Sequence, residues 1–321
     1  MRAVRFAGTG GPEVLRVDEV PEPRAPRGDE LVVRVAASSV NGTDLGMRRG
    51  GMRIATVGRL PFTLGFDLSG TVERCGPRVT AFAPGDAVTA LLGHGGGALA
   101  ELVTVRQGRV ALAPRSVDLM VAGGMPLAGL TALQALHERA HLHLRPSATR
   151  VLVVGATGGI GGFGVQLAAL AGVHVTALAR RDDLPAATDL GAHEVLARED
   201  GPAGASGERW DVVLDTPGTT SAAGAADLLR EGGVLVSTRA VSRDALLSRV
   251  RRDHLPGGRR YTAVMTAARS QDLARLARLV DDGRLRVPVD SVHPMAQAVQ
   301  AHRRAQSHPV GKVVVQVGAG R

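Results

Sequence analysis

Gly155, Gly158, Gly159 and Gly161, set in Val151-Leu-Val-Val-Gly-Ala-Thr-Gly-Gly-Ile-Gly161, are the residues whose type and spacing speak most directly of chemistry. Glycine has no Cβ, so the backbone can turn sharply and approach a ligand, while the N–H groups opening the next helix point at an anion. The apolar run Val151 to Val154 reads as a strand buried on both faces. Ile160, Val165, Leu167, Ala168 and Ala171 read as a helix packed closely on a sheet, and Gly172 stops it before a second strand, Val173 to Leu178. Strand, glycine turn, helix and strand form the unit that seats a dinucleotide pyrophosphate. Gly155, Thr157, Gly158, Gly159, Ile160 and Gly161 are the expected contacts; a glycine-rich turn that binds nothing is the alternative.

The end of the second strand chooses between cofactors. An Asp or Glu there hydrogen-bonds a ribose 2′-hydroxyl, whereas a 2′-phosphate wants cations. This chain has Ala179, Arg180 and Arg181. NADPH is therefore the expected cofactor, with Arg180 and Arg181 on its 2′-phosphate. Asp182 and Asp183 nearby pull against that reading, and a plain solvated surface is its alternative. Further cofactor neighbours are expected where later strands end, at Asp215, Thr216 and Pro217 and at Ser237 and Thr238, because open α/β sheets bind ligands beyond the carboxyl ends of their strands.

These residues need a scaffold, and the chain's texture supplies one. Residues 1 to about 115 carry short alternating strand patterns broken by Pro, Gly and Asp, such as Glu30-Leu-Val-Val-Arg-Val-Ala36 and Asp86-Ala-Val-Thr-Ala-Leu91, which argue for a small β-barrel-like domain. From about residue 117, strands alternate with helical stretches: Trp210 to Asp215, Ala222 to Arg230, Gly232 to Ser237, Arg260 to Thr266 and Gln271 to Asp281. That alternation predicts a mostly parallel sheet covered on both faces. The last segment offers a helix near Met295 to Ala305 and a strand from Lys312 to Val317. The fold class is α/β, with a doubly wound sheet beside a β-rich domain.

Composition narrows the partners. The 321 residues are 44% hydrophobic, with no run long enough to span a bilayer and no signal-peptide pattern after Met1, so a cytoplasmic protein without a membrane partner is expected. Cys75 is the single cysteine, which excludes an intrachain disulfide and a multi-cysteine zinc site. Of 39 basic residues only Lys312 is a lysine, and the arginines are scattered. With aromatics at 2%, the net charge of +9 has no stacking platform beside it, and nucleic acid is not the expected partner.

Seven segments in order give the chain a resemblance. They are Val40-Asn-Gly-Thr-Asp44, Gly65-Phe-Asp-Leu-Ser-Gly-Thr-Val72, Pro84-Gly-Asp-Ala-Val88, Gly97-Ala-Leu-Ala-Glu101, Pro126-Leu-Ala-Gly-Leu-Thr-Ala132, the glycine turn, and Gly311-Lys-Val-Val-Val315. Together they resemble the medium-chain dehydrogenase/reductase superfamily, in its zinc-free quinone oxidoreductase or zeta-crystallin-like branch. The resemblance implies a GroES-like β-barrel catalytic domain, residues 1–120 and 286–321, with a Rossmann NADPH-binding domain inserted as residues 121–285 and the cofactor in the cleft between them. It also implies a homodimer joined through the edge strand around Tyr261.

Zinc-dependent relatives carry metal ligands at three positions that here hold Asn41, Phe66 and Leu127, and Gly46 replaces a further histidine. Asn, Phe and Leu cannot form a closed zinc shell, so no metal is expected. Without a Lewis acid, alcohol–ketone interconversion is harder, whereas hydride addition to a quinone or to the β-carbon of an enone needs less electrophilic help. The expected activity is NADPH-dependent reduction of such a small molecule. The resemblance places Asn41 and Thr131 by the nicotinamide, Asn41 as a donor to the substrate carbonyl, with a backbone-capping turn at Asn41 and Asp44 as the equal alternative. It sets Lys312 near the cleft, with a surface position equally open, and Phe66 in the substrate pocket. Met47, Met52, Ile54, Leu60, Phe62 and His94 are further pocket candidates. A tyrosine found in some relatives is replaced in Leu45-Gly-Met-Arg-Arg49, leaving proton delivery to solvent. A redox-silent cyclase or isomerase, or a nucleic-acid-binding or structural role, is the alternative the fold allows.

Overall fold

The computed structural model describes residues 1–51, 58–93, 95–201, 203, 207–239 and 254–318. They form two compact units, one of residues 1–130 and 267–321 and one of residues 131–266.

The contiguous unit is a seven-stranded sheet. Its strands are β9 (Arg150–Val154), β10 (His174–Ala179), β11 (Glu194–Ala197), β12 (Trp210–Asp215), β13 (Leu229–Ser237), β14 (His254–Leu255) and β15 (Arg259–Ala263). They lie in the order β11-β10-β9-β12-β13-β15-β14, parallel throughout except for β14. Val151, Leu152 and Val153 are fully buried, as a central parallel strand covered on both faces requires. The chain runs outward from β9 to β11 and then returns to lay β12 on the other side of β9. That reversal leaves a crevice beyond the carboxyl ends of β9 and β12, where α/β sheets bind ligands.

In the other unit, β1 (Arg2–Phe6), β2 (Arg16–Glu19) and β4 (Phe62–Thr63) form a small antiparallel sheet. The larger sheet comprises β3 (Glu30–Ser39), β5 (Asp67–Cys75), β6 (Ala87–Leu91), β7 (Leu102–Arg106), β8 (Val110–Leu112), β16 (Val289–Pro294) and β17 (Lys312–Gln316). Their order is β16-β17-β3-β5-β6-β8, with β7 on β3. β17 pairs antiparallel with β3 through Val314–Ser39, so one of the last strands in the chain lies beside one of the first.

The helices are α1 (Gly42–Arg48), α2 (Leu119–Ala122), α3 (Pro126–Gln134), α4 (Gly159–Leu170), α5 (Leu184–Asp189), α6 (Ala222–Leu228), α7 (Ser270–Asp281) and α8 (Ala298–Gln306). The helix expected to run to Arg230 ends at Leu228, because Leu229 and Arg230 already belong to β13. α7 buries Leu273, Leu276, Ala277 and Val280, a 3-4 spacing that seats it against β8 and β6. Its Asp281 carboxylate accepts from the backbone N–H groups of Arg115 and Ser116 at 2.6 and 2.9 Å. Among the described residues no helix is long and apolar enough to cross a membrane.

Candidate functional site: a glycine cradle and a buried polar network

The glycine turn closes on itself as a phosphate cradle must. Gly155 sits at φ +70°, and a Cβ there would stand 2.7 Å from Thr216 Oγ1. A Cβ on Gly161 would run into the carbonyl oxygen of Gly155. α4 begins at Gly159, and its N-cap, Gly158, brings no side chain to the first turn. The first N–H groups of a helix have no intrahelical acceptor, so this terminus suits an external anion. The turn's glycines thus fit a dinucleotide pyrophosphate: room for its oxygens comes from missing side chains.

The strand ends beyond the cradle interlock. Thr216 Oγ1 donates to the Val154 carbonyl at 2.7 Å, and Thr238 Oγ1 donates to the Thr216 carbonyl at 2.8 Å. Asp215 is fully buried, and its two oxygens accept from Gly218 and Thr220 N–H groups at 3.0 and 2.8 Å. Its carboxylate fixes the loop that carries Thr216 and Pro217. Ser237 Oγ, also buried, accepts from the Arg239 N–H at 3.1 Å. Thr131 and Thr266 share a 2.7 Å hydrogen bond between their hydroxyls.

In the other unit the notable feature is a charge cluster closed to solvent. Asp67 is fully buried, and its Oδ1 accepts from the Leu127 N–H at 2.6 Å. Its Oδ2 accepts from Asn41 Nδ2 at 2.8 Å and from the Ser39 hydroxyl. Lys312 Nζ lies 3.6 Å from that oxygen and donates to the Val40 carbonyl at 3.2 Å and to Asn41 Oδ1. Asp44 Oδ1 accepts from the Gly65 N–H and Oδ2 from the Asn41 N–H, each at 2.9 Å. Burial pushes the Asp44 carboxyl up to about 7, and burial also lowers the Lys312 ammonium against the pull of Asp67 and Asp44.

This arrangement closes one alternative, the surface position of Lys312, and speaks against two expected roles, those of Asn41 and Met47. Lys312 is not a surface residue: it neutralises Asp67 inside the unit. Asn41 has no N–H left for a substrate carbonyl, since Nδ2 donates to both Asp67 and the Ser39 carbonyl, the latter at 3.2 Å. Its amide orientation is dictated by a carboxylate on one side and an ammonium on the other. Met47 is fully buried and offers a ligand no surface, because it lies on the core face of α1. Phe66 is buried, while His94, Met52 and Ile54 lie outside the described residues.

Asn41 and Leu127, two of the positions zinc-dependent relatives use for metal, both bond Asp67, the residue after the third position, Phe66. The partners of Asp67 lie 26, 28, 60 and some 245 residues away in sequence, and no local pattern reveals such a set. Among the described residues no three His, Cys, Asp or Glu side chains are placed to hold a metal ion.

Comparison with known proteins agrees with this architecture. Residues 27–115 match the alcohol dehydrogenase GroES-like domain family, and residues 190–315 match the zinc-binding dehydrogenase family. The chain is 31% identical to the chloroplastic quinone-oxidoreductase QR1 of Triphysaria versicolor over 98% of each protein. It belongs to the medium-chain dehydrogenase/reductases, in the zinc-free quinone oxidoreductase family. It is also 30% identical to the mitochondrial NAD(P)H oxidoreductase RTN4IP1 of Mus musculus, over 90% of this chain and 82% of that one. Among solved structures, the quinone oxidoreductase from Coxiella burnetii superposes with a TM-score of 0.88 at 26% identity, covering 99% of both chains. The family membership makes the chain an oxidoreductase with a GroES-like and a Rossmann-like domain.

Proposed function

We infer that this member of the family is an NADPH-dependent, zinc-independent reductase that delivers hydride to a quinone or to the activated C=C bond of an α,β-unsaturated carbonyl. The observation that carries the reading is the cradle at Gly155–Gly161, closed to any Cβ at Gly155 and Gly161 and placed at the reversal of strand order. A bound nicotinamide supplies the hydride, and the negative charge it brings delocalises through an enone or quinone, so weak electrophilic help suffices.

The chain's own residues then bind and orient. Gly158, Gly159, Ile160 and Gly161 present backbone N–H groups to the pyrophosphate, with Thr157 beside them, and Arg180 takes the 2′-phosphate in preference to Arg181. Thr216, Pro217, Ser237 and Thr238 wall the crevice at the ends of β12 and β13. Thr131 faces the nicotinamide with its hydroxyl already oriented by Thr266. Asn41, its donors spent, offers only the second lone pair of Oδ1, so it accepts from a ribose hydroxyl and leaves the product's proton to solvent. Homodimerisation through β15 is part of the proposal: β14 pairs only with Arg259 and Arg260, which leaves the outer edge of Tyr261–Ala263 without a strand among the described residues.

Fluorescence titration with NADPH and NADH, followed by a screen of quinones and enones for loss of absorbance at the dihydronicotinamide band, tests this. Binding of NADPH and turnover of at least one substrate are expected. Absence of binding of either cofactor at ~1 mM would end the reading. Tight binding without turnover of any quinone or enone would move it to a redox-silent cyclase or isomerase.

A further inference from the structure

The two arginines assigned to a 2′-phosphate are each already held by a carboxylate. Arg180 donates from Nε and Nη2 to Asp183 Oδ2 and Oδ1 at 2.7 and 3.1 Å, a two-pronged pair. The Asp183 carboxylate also lies 3.4 Å from Thr157 Oγ1 in the glycine turn. One acidic group therefore adjoins both the pyrophosphate loop and the arginine. Only 11% of the Asp183 side chain is exposed, so this pair is less screened than an ordinary surface contact.

Arg181 contrasts with it. Glu199 accepts its backbone N–H at 2.9 Å, and its guanidinium pairs with Asp200, both side chains being more than half exposed. Around the end of β10, Arg180, Arg181 and Arg198 pair with Asp183, Asp200 and Glu199, and Asp182, next in sequence, makes the carboxylates four against three cations. The doublet that looks cationic in sequence belongs to a group of seven charges that sum to −1.

We propose that Asp183 is a positioning residue that sets cofactor choice by competing with a 2′-phosphate for the guanidinium of Arg180. The inference rests on the dinucleotide reading above. A 2′-phosphate must share Arg180 with a carboxylate that repels it or displace that carboxylate; either costs affinity. A 2′-hydroxyl meets no such cost, since a carboxylate accepts its proton as a hydrogen bond. Asp183 narrows the margin by which NADPH outbinds NADH while keeping Arg180 folded toward the turn.

The test is the ratio of Kd for NADH to Kd for NADPH, measured by fluorescence titration in wild type, Asp183→Asn, Asp183→Ser, Arg180→Gln and the double variant Arg180→Gln/Asp183→Asn. Either Asp183 substitution should raise the ratio about fivefold, mainly through tighter NADPH. Arg180→Gln should lower it, and the double variant should show no gain over Arg180→Gln. An unchanged ratio in both Asp183 variants, with both cofactors still bound, overturns the proposal. So does a gain that persists without Arg180, because the carboxylate would then act by charge alone. Failure of wild type to bind either cofactor is a different result and ends the dinucleotide reading itself.

Discussion

The glycine cradle and the Asp67 network solve opposite problems. At Gly155–Gly161 the fold removes side chains so that backbone N–H groups face outward, ready for an anion. Around Asp67 it packs side chains until every oxygen of a buried carboxylate has a donor and an ammonium lies 3.6 Å away. One region keeps its hydrogen-bonding capacity for a ligand; the other spends all its donors internally and leaves only one lone pair of Asn41 Oδ1. Ligand affinity should therefore respond to the cradle and stability to the network.

The largest expected effect breaks that division at Lys312. Lys312→Met leaves Asp67 and Asp44 buried without a cation and should cost about 3–5 kcal/mol in urea denaturation. Lys312→Met/Asp67→Asn should recover much of that loss. A cost below about 1 kcal/mol for the single variant would show that the pair is not structural. Next comes Gly161→Ala, whose Cβ meets the Gly155 carbonyl oxygen. It should weaken NADPH about 100-fold in titration while the far-ultraviolet circular dichroism is retained.

A third prediction uses pH to sharpen the contrast. His302 on α8 is fully buried, neither ring nitrogen has a partner among the described residues, and burial with the nearby Arg48 lowers it to about 3. A depressed folded-state value means that stability is present above the unfolded value, near 6.5, and is lost as pH falls toward 3. By pH 5 this linkage should remove about 2 kcal/mol, and His302→Leu should abolish that acid-side loss in urea midpoints measured from pH 7.5 to 5. Asp44 has the opposite sign: its raised value withdraws stability as pH climbs from about 4 to about 7. Asp44→Asn should flatten that limb. The smallest effect belongs to the solvent-exposed arginine: Arg181→Gln should change NADPH affinity less than about threefold, because its pair with Asp200 is open to water. A loss like that of Gly161→Ala would reassign the 2′-phosphate to Arg181.

What the sequence made legible follows from distance along the chain. The cradle lies in one continuous run, and apolar periodicity with glycine placement names its strand, turn and helix. The Arg180–Asp183 pair is an i,i+3 contact, so its spacing was readable, although only the folded turn shows the carboxylate aimed at both Arg180 and Thr157. Met47 was misassigned because a short helix of seven residues gives little periodicity from which to choose a face. Lys312 was beyond local reading: its partners Val40 and Asn41 lie 272 and 271 residues away, and nothing near it in sequence announces a buried cation.

That separation carries a consequence for the order of assembly. Residues 131–266 form a unit from one unbroken stretch, so they can fold as soon as synthesis has passed them. The unit that encloses Asp67 needs β17, and with it the ammonium of Lys312, from near the far end of the chain. Until that strand arrives, Asp67 has no counter-ion and β3 has an open edge at Ser38 and Ser39. On a ribosome the second unit to begin emerging is the first to finish, and the single lysine, Lys312, locks the one that started.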